Sequence, residues 1–144
     1  MGDLSANFDR DEFSCGCNCG KVVVRLPLIA ALQELRDLVK VPIVITSGYR
    51  CTAFNRQVGG VSNSYHISGQ AADIHIKYML VKNMYEAALK VDIFRNGGLG
   101  LYMDRKFLHV DCRNGKARWA EMGGKRVKYF DFSKEKEDGK ISEP

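Results

Sequence analysis

The chain has no long hydrophobic run and little proline. Although 45% of its 144 residues are hydrophobic, no window approaches the about 18 consecutive apolar residues of a membrane-spanning helix. Such a length and composition predict one globular domain, which we place at residues 1–132. Residues 133–144, SKEKEDGKISEP, are charged and poor in apolar residues, which is typical of a disordered tail.

The N-terminus lacks the features of an export signal. Its first residues, MGDLSANFDRDEF, are acidic and polar, whereas a signal peptide begins basic and continues apolar. We therefore expect synthesis in the cytoplasm without a signal peptide. The net charge of +5 is modest and aromatic residues are not interleaved with basic ones. A monomer with no nucleic-acid partner is predicted, and a nucleic-acid-binding protein that uses the basic surface and the cysteines is the weaker alternative.

The cysteines do not form an even set. Of the five cysteines, Cys15, Cys17 and Cys19 are crowded into CGCNC, which argues against a disulfide framework. We interpret them as free or partly paired thiols in a reducing compartment. A soft-metal site at Cys15, Cys17 and Cys19, with or without Cys51, is the alternative, but it departs from the usual C-x2-C spacing of structural zinc.

Hydrophobic spacing predicts interspersed helices and strands. Apolar residues at three- and four-residue steps predict an amphipathic helix from Leu26 to Val39. Because the last two predicted strands are joined by a tight turn at Asp104 and Arg105, we expect an α+β fold, with a small, mainly antiparallel sheet and flanking helices. The other expected elements are a short capped helix within 5–13, strands at 42–46, 71–76, 97–104 and 106–113, and a helix at 81–91.

Histidine is scarce, and all three histidines lie in SYHISGQAADIHI and FLHVDCR. In a strand, residues two apart share a face, so Asp73 and His75 share one polar face and His109 and Asp111 share another. His66, Asp73 and His109 supply two imidazoles and one carboxylate. This ligand set suits zinc and leaves one tetrahedral position for water. On pattern alone, hydrogen-bonded histidines without a metal are the alternative.

Several motifs resemble one family. SGYR, VGGVSNSYHISGQAADI and GLGLY followed by FLHVDCRNGKARW resemble the small zinc D-Ala-D-Ala carboxypeptidase-like peptidases of bacteria and phages. These belong to the group named for lysostaphin, D-Ala-D-Ala peptidases and hedgehog. The resemblance runs from about Asn7 to Trp119 and implies a hedgehog/D-Ala-D-Ala peptidase-like fold. It also implies a zinc metallopeptidase that hydrolyses peptidoglycan stem peptides at or near D-alanine, as a carboxypeptidase or an endopeptidase.

The resemblance assigns roles to particular residues. It makes His66, Asp73 and His109 the zinc ligands, while His75 is expected to be structural. Arg50 matches an arginine that holds a substrate carboxylate or the oxyanion, and its planar fork suits either charge. A structural salt bridge or a carbonyl-capping contact is the alternative for Arg50.

The general base is missing from its place in the family pattern. Many relatives have an acid three positions before the last histidine, where this chain has Lys106. We predict Asp111 as the base because it shares a strand face with His109, and Asp104 is the second candidate. Alternatively, neither aspartate is the base, and Asp111 orients a ligand histidine or pairs with Arg113.

The missing acid also keeps a second function open. A zinc-containing cell-wall-binding module without catalysis is the alternative to the peptidase. As a peptidase without an export signal, the protein is expected to act on the bacterial wall, as a phage lysin released by other proteins or as part of a phage tail.

Overall fold

The computed structural model describes residues 2–17 and 19–127 of the chain. The predicted tail at 133–144, and the end of the predicted domain at 128–132, lie outside the described residues. A short 3-10 helix, Arg10–Phe13, precedes the other elements. The α-helices are α1 (Leu26–Val39), α2 (Thr52–Gln57), α3 (Val81–Ala88) and α4 (Asp92–Arg95). The strands are β1 (Ile43–Ser47), β2 (Ala71–Ile76), β3 (Gly98–Tyr102), β4 (Phe107–Asp111), β5 (Ala117–Met122) and β6 (Lys125–Arg126).

In the described part of the chain, the strands form one sheet in the order β1-β2-β4-β3-β5-β6. All neighbouring strands are antiparallel except β3 and β5, which are parallel. This parallel pair arises because the chain turns back through β4 on one side of β3 and then returns as β5 on the other side. The predicted α+β fold with a mainly antiparallel sheet is confirmed.

Helices α1, α3 and α4 cover one face of the sheet. Helix α3 contacts β3 and β4, and α1 contacts α3 and α4. Leu32 and Tyr85 from the helices meet Ile74 and Val110 from the strands, and all four are fully buried. Burying each such side chain stabilises the fold by about 1.5–3 kcal/mol. The alternation of each strand therefore turns the remaining residues toward the opposite face, where the polar ones gather.

The predicted helix at 26–39 and the strand at 71–76 are confirmed at their boundaries. Strand β5 was not predicted because its sequence, ARWAEM, has no clear apolar alternation, and Ala120 is its fully buried core residue. Helix α4 spans one turn, which is too short to show a period. Among the described residues, no helix combines the length and apolarity needed to cross a bilayer.

Candidate metal centre

The polar face of the sheet brings together the three predicted metal ligands. Asp73 on β2 lies directly opposite His109 on β4, and His66 comes from the loop before β2. One ligand atom of each residue lies within 4.8 Å of the others, and all three side chains are buried. Residues distant in sequence thus form one compact group of two imidazoles and a carboxylate.

The facing atoms are spaced like ligands of one zinc ion. Asp73 Oδ1 lies 3.3 Å from His66 Nε2 and 3.1 Å from His109 Nδ1. Tetrahedral zinc with bonds of about 2.0–2.1 Å to nitrogen and oxygen places its ligand atoms about 3.3 Å apart. The donor set and its spacing therefore fit zinc.

Each ligand imidazole is also held through its other nitrogen. His66 Nδ1 lies 2.7 Å from the carbonyl oxygen of Gly48, and His109 Nε2 lies 2.7 Å from Asp111 Oδ2. A proton on each of these nitrogens donates to the oxygen and leaves the lone pair of the other nitrogen facing the centre of the group. The surrounding chain thus selects the tautomers that a metal requires.

Asp111 lies behind His109 and is fully buried. Its Oδ1 accepts hydrogen bonds from the backbone N–H groups of Gly98, at 2.8 Å, and Arg113, at 3.1 Å. The Arg113 side chain donates to both carboxylate oxygens. A side chain at position 98 would collide with Asp111 Oδ2, so glycine leaves room for the carboxylate. These contacts favour the orienting alternative for Asp111 over the predicted general-base role.

The buried carboxylates remain ionised. Burial by itself would raise the pKa of Asp73, but hydrogen bonds from His109 and His66 outweigh it and hold this pKa well below its usual range. Burial likewise opposes a low pKa for Asp111, yet hydrogen bonds from His109 and Arg113 lower it. For His109, burial would lower the pKa, but the bonds to Asp111 and Asp73 raise it. The two carboxylates therefore supply negative charge on either side of His109.

Arg50 lies beside the ligand group. Its Nη2 is 3.3 Å from Asp73 Oδ2, while Nε donates to Ser47 Oγ at 3.3 Å and Nη1 donates to Asn55 Oδ1 at 3.2 Å. The side chain is 16% exposed and lines both cavities beside the ligand group. Arg50 thus makes the salt bridge that the sequence left as an alternative, and it also faces the space where a substrate would lie.

Two cavities, of about 660 and 670 Å³, adjoin at Arg50 and Asp73, which line both. The second cavity contains all three metal ligands, whereas the first reaches only Asp73 among them. The first extends along β1 and contains Val44 and His75. The second extends over β3 and β5 and contains Trp119. The polar face therefore offers space for a ligand that runs over β3 and β5 past the metal ligands and continues along β1.

Sequence reasoning missed the aromatic wall of the second cavity. The Trp119 ring lies 5.0 Å from the His109 ring, and Trp119 Nε1 donates to the Tyr102 hydroxyl at 3.1 Å. A side chain at Gly100 would collide with the indole ring, so glycine at this position lets Trp119 lie across β3. The available signal was the W that ends the family-like segment GKARW, although its strand was not predicted.

Glu121 is a further lining residue that the sequence did not reveal. It follows Trp119 by two positions on β5 and therefore lies on the same face of the sheet. Its side chain is 24% exposed. Among the described residues that line the second cavity, Asp73 and Glu121 are the only carboxylates.

The other predicted residues lie outside the ligand group. His75 Nδ1 lies 2.9 Å from the carbonyl oxygen of Lys106, in keeping with the structural role expected of His75. Asp104 is exposed and its Oδ2 accepts a hydrogen bond from the backbone of Gly123 at 3.0 Å. Asp104 is thus held at the turn after β5 and lines neither of the two cavities.

Three protein ligands in an open groove define the class of site in which zinc retains a position for water, as catalytic zinc sites do. Residues 6–111 match the family model of peptidase M15, and the chain belongs to this family. The predicted relationship to D-Ala-D-Ala peptidase-like peptidoglycan peptidases is thereby confirmed.

Curated relatives agree with this family. The chain is 38% identical over 98 residues to the peptidoglycan L,D-endopeptidase MepK of Escherichia coli K12, a match covering 63% of this chain and 51% of that protein. It is 39% identical over 85 residues to the probable peptidoglycan L,D-endopeptidase MepK of Haemophilus influenzae, covering 56% and 44% respectively. The chain thus spans about half the length of the curated relatives it matches.

Proposed function

We propose that this protein is a zinc-dependent endopeptidase that hydrolyses peptidoglycan stem peptides at an L,D bond. The observation that carries the proposal is that the cavity of the ligand group continues into a second cavity at Arg50 and Asp73. Such a groove allows a peptide to extend on both sides of the scissile bond, whereas a carboxypeptidase needs to hold only a terminal residue beyond it. The names of the relatives support the L,D bond, and release of terminal D-alanine is the competing specificity.

The zinc ion would be held by His66 Nε2, Asp73 and His109 Nδ1. When bound, zinc polarises a carbonyl group and acidifies water. The Gly48 carbonyl and the Asp111 carboxylate keep the two imidazoles in the orientation for binding. Oriented ligands of this kind keep the metal site in one geometry through the reaction.

Arg50 would stabilise negative charge on the substrate. Its contacts with Ser47, Asn55 and Asp73 hold the guanidinium beside the ligand group before a substrate binds. A donor that is already in place costs no reorganisation when charge develops on the carbonyl oxygen.

Tyr102 is a second donor beside the ligand group. Burial raises the pKa of Tyr102, which keeps its hydroxyl neutral and able to donate to a substrate.

We assign the proton-accepting role to Glu121. It is partly exposed in the same cavity as the ligand group. The predicted bases are engaged elsewhere, Asp111 behind His109 and Asp104 at the turn after β5. A carboxylate that a water molecule can reach is the group this step needs.

The charge of the second cavity supports an anionic peptide substrate. A basic lining concentrates anions near the site and orients them. Peptidoglycan stem peptides carry free carboxylates and fit this requirement. The lining arginines are Arg50, Arg105, Arg113, Arg118 and Arg126.

The test is digestion of purified peptidoglycan with and without a chelator, with mass spectrometry of the products. We expect chelator-sensitive fragments cut at an L,D bond, and none from His66→Ala. Release of free D-alanine alone would establish a carboxypeptidase instead. Binding to peptidoglycan with bound zinc and no products would establish the wall-binding alternative. The predicted phage-lysin role stays a prediction, which lysis of intact cells from outside would support.

A further inference from the structure

Four of the five cysteines meet at a second place in the fold. Cys15, Cys17 and Cys19 come from the N-terminal segment, and Cys51 precedes α2. Their four sulfur atoms all lie within 4.8 Å of one another. The fifth, Cys112, lies apart, with its sulfur 3.5 Å from the carbonyl oxygen of Gln70. The fold thus adds a distant fourth thiol to the crowded motif of the sequence.

The sulfur spacing fits a tetrahedral metal site rather than disulfides. Cys15 Sγ lies 3.4 Å from Cys17 Sγ, which lies 3.6 Å from Cys51 Sγ. Zinc bound to four thiolates at about 2.3 Å places neighbouring sulfurs about 3.8 Å apart, whereas a disulfide requires about 2.05 Å. None of the five cysteines is in a disulfide.

We propose that Cys15, Cys17, Cys19 and Cys51 bind a second zinc ion in a closed tetrathiolate site. Backbone donors already face the sulfurs, since the Cys51 N–H donates to Cys15 Sγ and the Phe54 N–H donates to Cys51 Sγ, each at 3.4 Å. Such donors offset negative charge on thiolates. Four soft sulfur ligands select zinc over the hard cations that prefer oxygen.

The position of this thiolate site gives it a structural role. It ties the N-terminal segment to Cys51, the residue that follows Arg50 in the chain. The same segment contacts this loop again where the Tyr49 N–H donates to the Phe13 carbonyl at 2.8 Å. Gly48, whose carbonyl accepts from His66, packs directly on the Phe13 backbone. The thiolate site therefore braces the loop that holds Arg50 and orients His66.

Zinc content of the full chain tests the proposal independently of peptidase activity. After dialysis against trace zinc, we expect two zinc ions per wild-type chain and one in the double variant His66→Ala/His109→Ala. Because that double variant retains all five cysteines, its remaining zinc reports the thiolate site. Cobalt substituted into it should show a thiolate-to-cobalt charge-transfer band in the near ultraviolet.

Cysteine variants locate the site. Cys17→Ser/Cys19→Ser should bind one zinc fewer than wild type, whereas Cys112→Ser, the matched control, should bind two. Absence of zinc and of the cobalt band from the histidine double variant would overturn the proposal even if the cysteine variants fail to fold. Iron in place of zinc, or disulfides between these cysteines in freshly purified protein, would also overturn it.

Discussion

The histidine-aspartate group and the cysteine group differ in charge and in access. The first has two imidazoles and one carboxylate on the grooved face of the sheet, and this ligand set would leave a bound dication with positive charge. Four thiolates more than neutralise the same ion and fill its tetrahedron. The histidine-aspartate group therefore suits a metal that polarises a substrate, whereas the cysteine group suits a metal that holds chain segments together.

The two groups also differ in the backbone that supports them. Asp73 and His109 lie on paired central strands, where the sheet sets their separation. Cys15, Cys17 and Cys19 lie in a segment without regular structure, where a metal would supply order that the backbone does not. Removing ligands should accordingly damage chemistry at the first group and stability at the second.

The largest expected effect is loss of the histidine-aspartate group. His66→Ala or His109→Ala should abolish detectable peptide hydrolysis and remove one zinc per chain, because two protein ligands do not hold zinc in a catalytic geometry. Product formation and zinc content are measured on the same sample. His75→Ala is the matched control and should keep both. Full zinc content in either ligand variant would show that the ligand assignment is wrong.

Glu121→Gln should have the second-largest effect on activity. We expect the zinc content of wild type and a turnover lower by about 10²–10⁴-fold, the usual contribution of a positioned base. Glu34→Gln, on the exposed side of α1, is the control and should behave as wild type. Wild-type turnover in Glu121→Gln would return the role to Asp111 or Asp104.

Arg50→Lys should lower kcat/KM by about 10²-fold while zinc stays bound, because an ammonium cannot reproduce the planar fork at a developing oxyanion. Steady-state kinetics on a muropeptide would measure it, with Arg36→Lys on α1 as the control. Equal rates for Arg50→Lys and wild type would leave Arg50 with the salt bridge to Asp73 alone.

Asp111→Asn should weaken the binding of the metal. An amide nitrogen placed opposite His109 Nε2 disfavours the tautomer that binds zinc, so we expect a 10–100-fold loss of zinc affinity. Competition with a chromophoric chelator measures it, and Asp104→Asn is the control. Unchanged zinc affinity with lost turnover would instead support the predicted general base.

The histidine-aspartate group could be predicted because strand alternation is local. Period two placed Asp73 and His109 on polar faces, and the motif around His66 supplied the third ligand. The same period could not separate a base from an orienting partner for Asp111, because that depends on Gly98 and Arg113 contacting its carboxylate. Tertiary contacts of this kind leave no periodic signal.

Two other features could not be predicted from the sequence, because they also depend on tertiary contacts. The role of Cys51 depends on a contact with the N-terminal segment that no spacing rule contains, so the sequence favoured free thiols. Glu121 lies on β5, whose charged residues obscured the strand. Once β5 is paired with β3, alternation from Trp119 is sufficient to place Glu121 in the cavity.

The smallest effect on chemistry should come from the cysteine group. A site occupied at about 1,000 times its Kd stabilises a fold by about 4 kcal/mol, so Cys51→Ser should lower Tm by on the order of 10 °C. Hydrolysis well below Tm should change only a few-fold, because the histidine-aspartate ligands remain. Calorimetry and the peptidoglycan assay on the same preparation test both parts, with Cys112→Ser as the control. An unchanged Tm would mean that the four thiols hold no metal. A complete loss of activity with Tm preserved would mean that the cysteine group serves the chemistry and not only the stability of the fold.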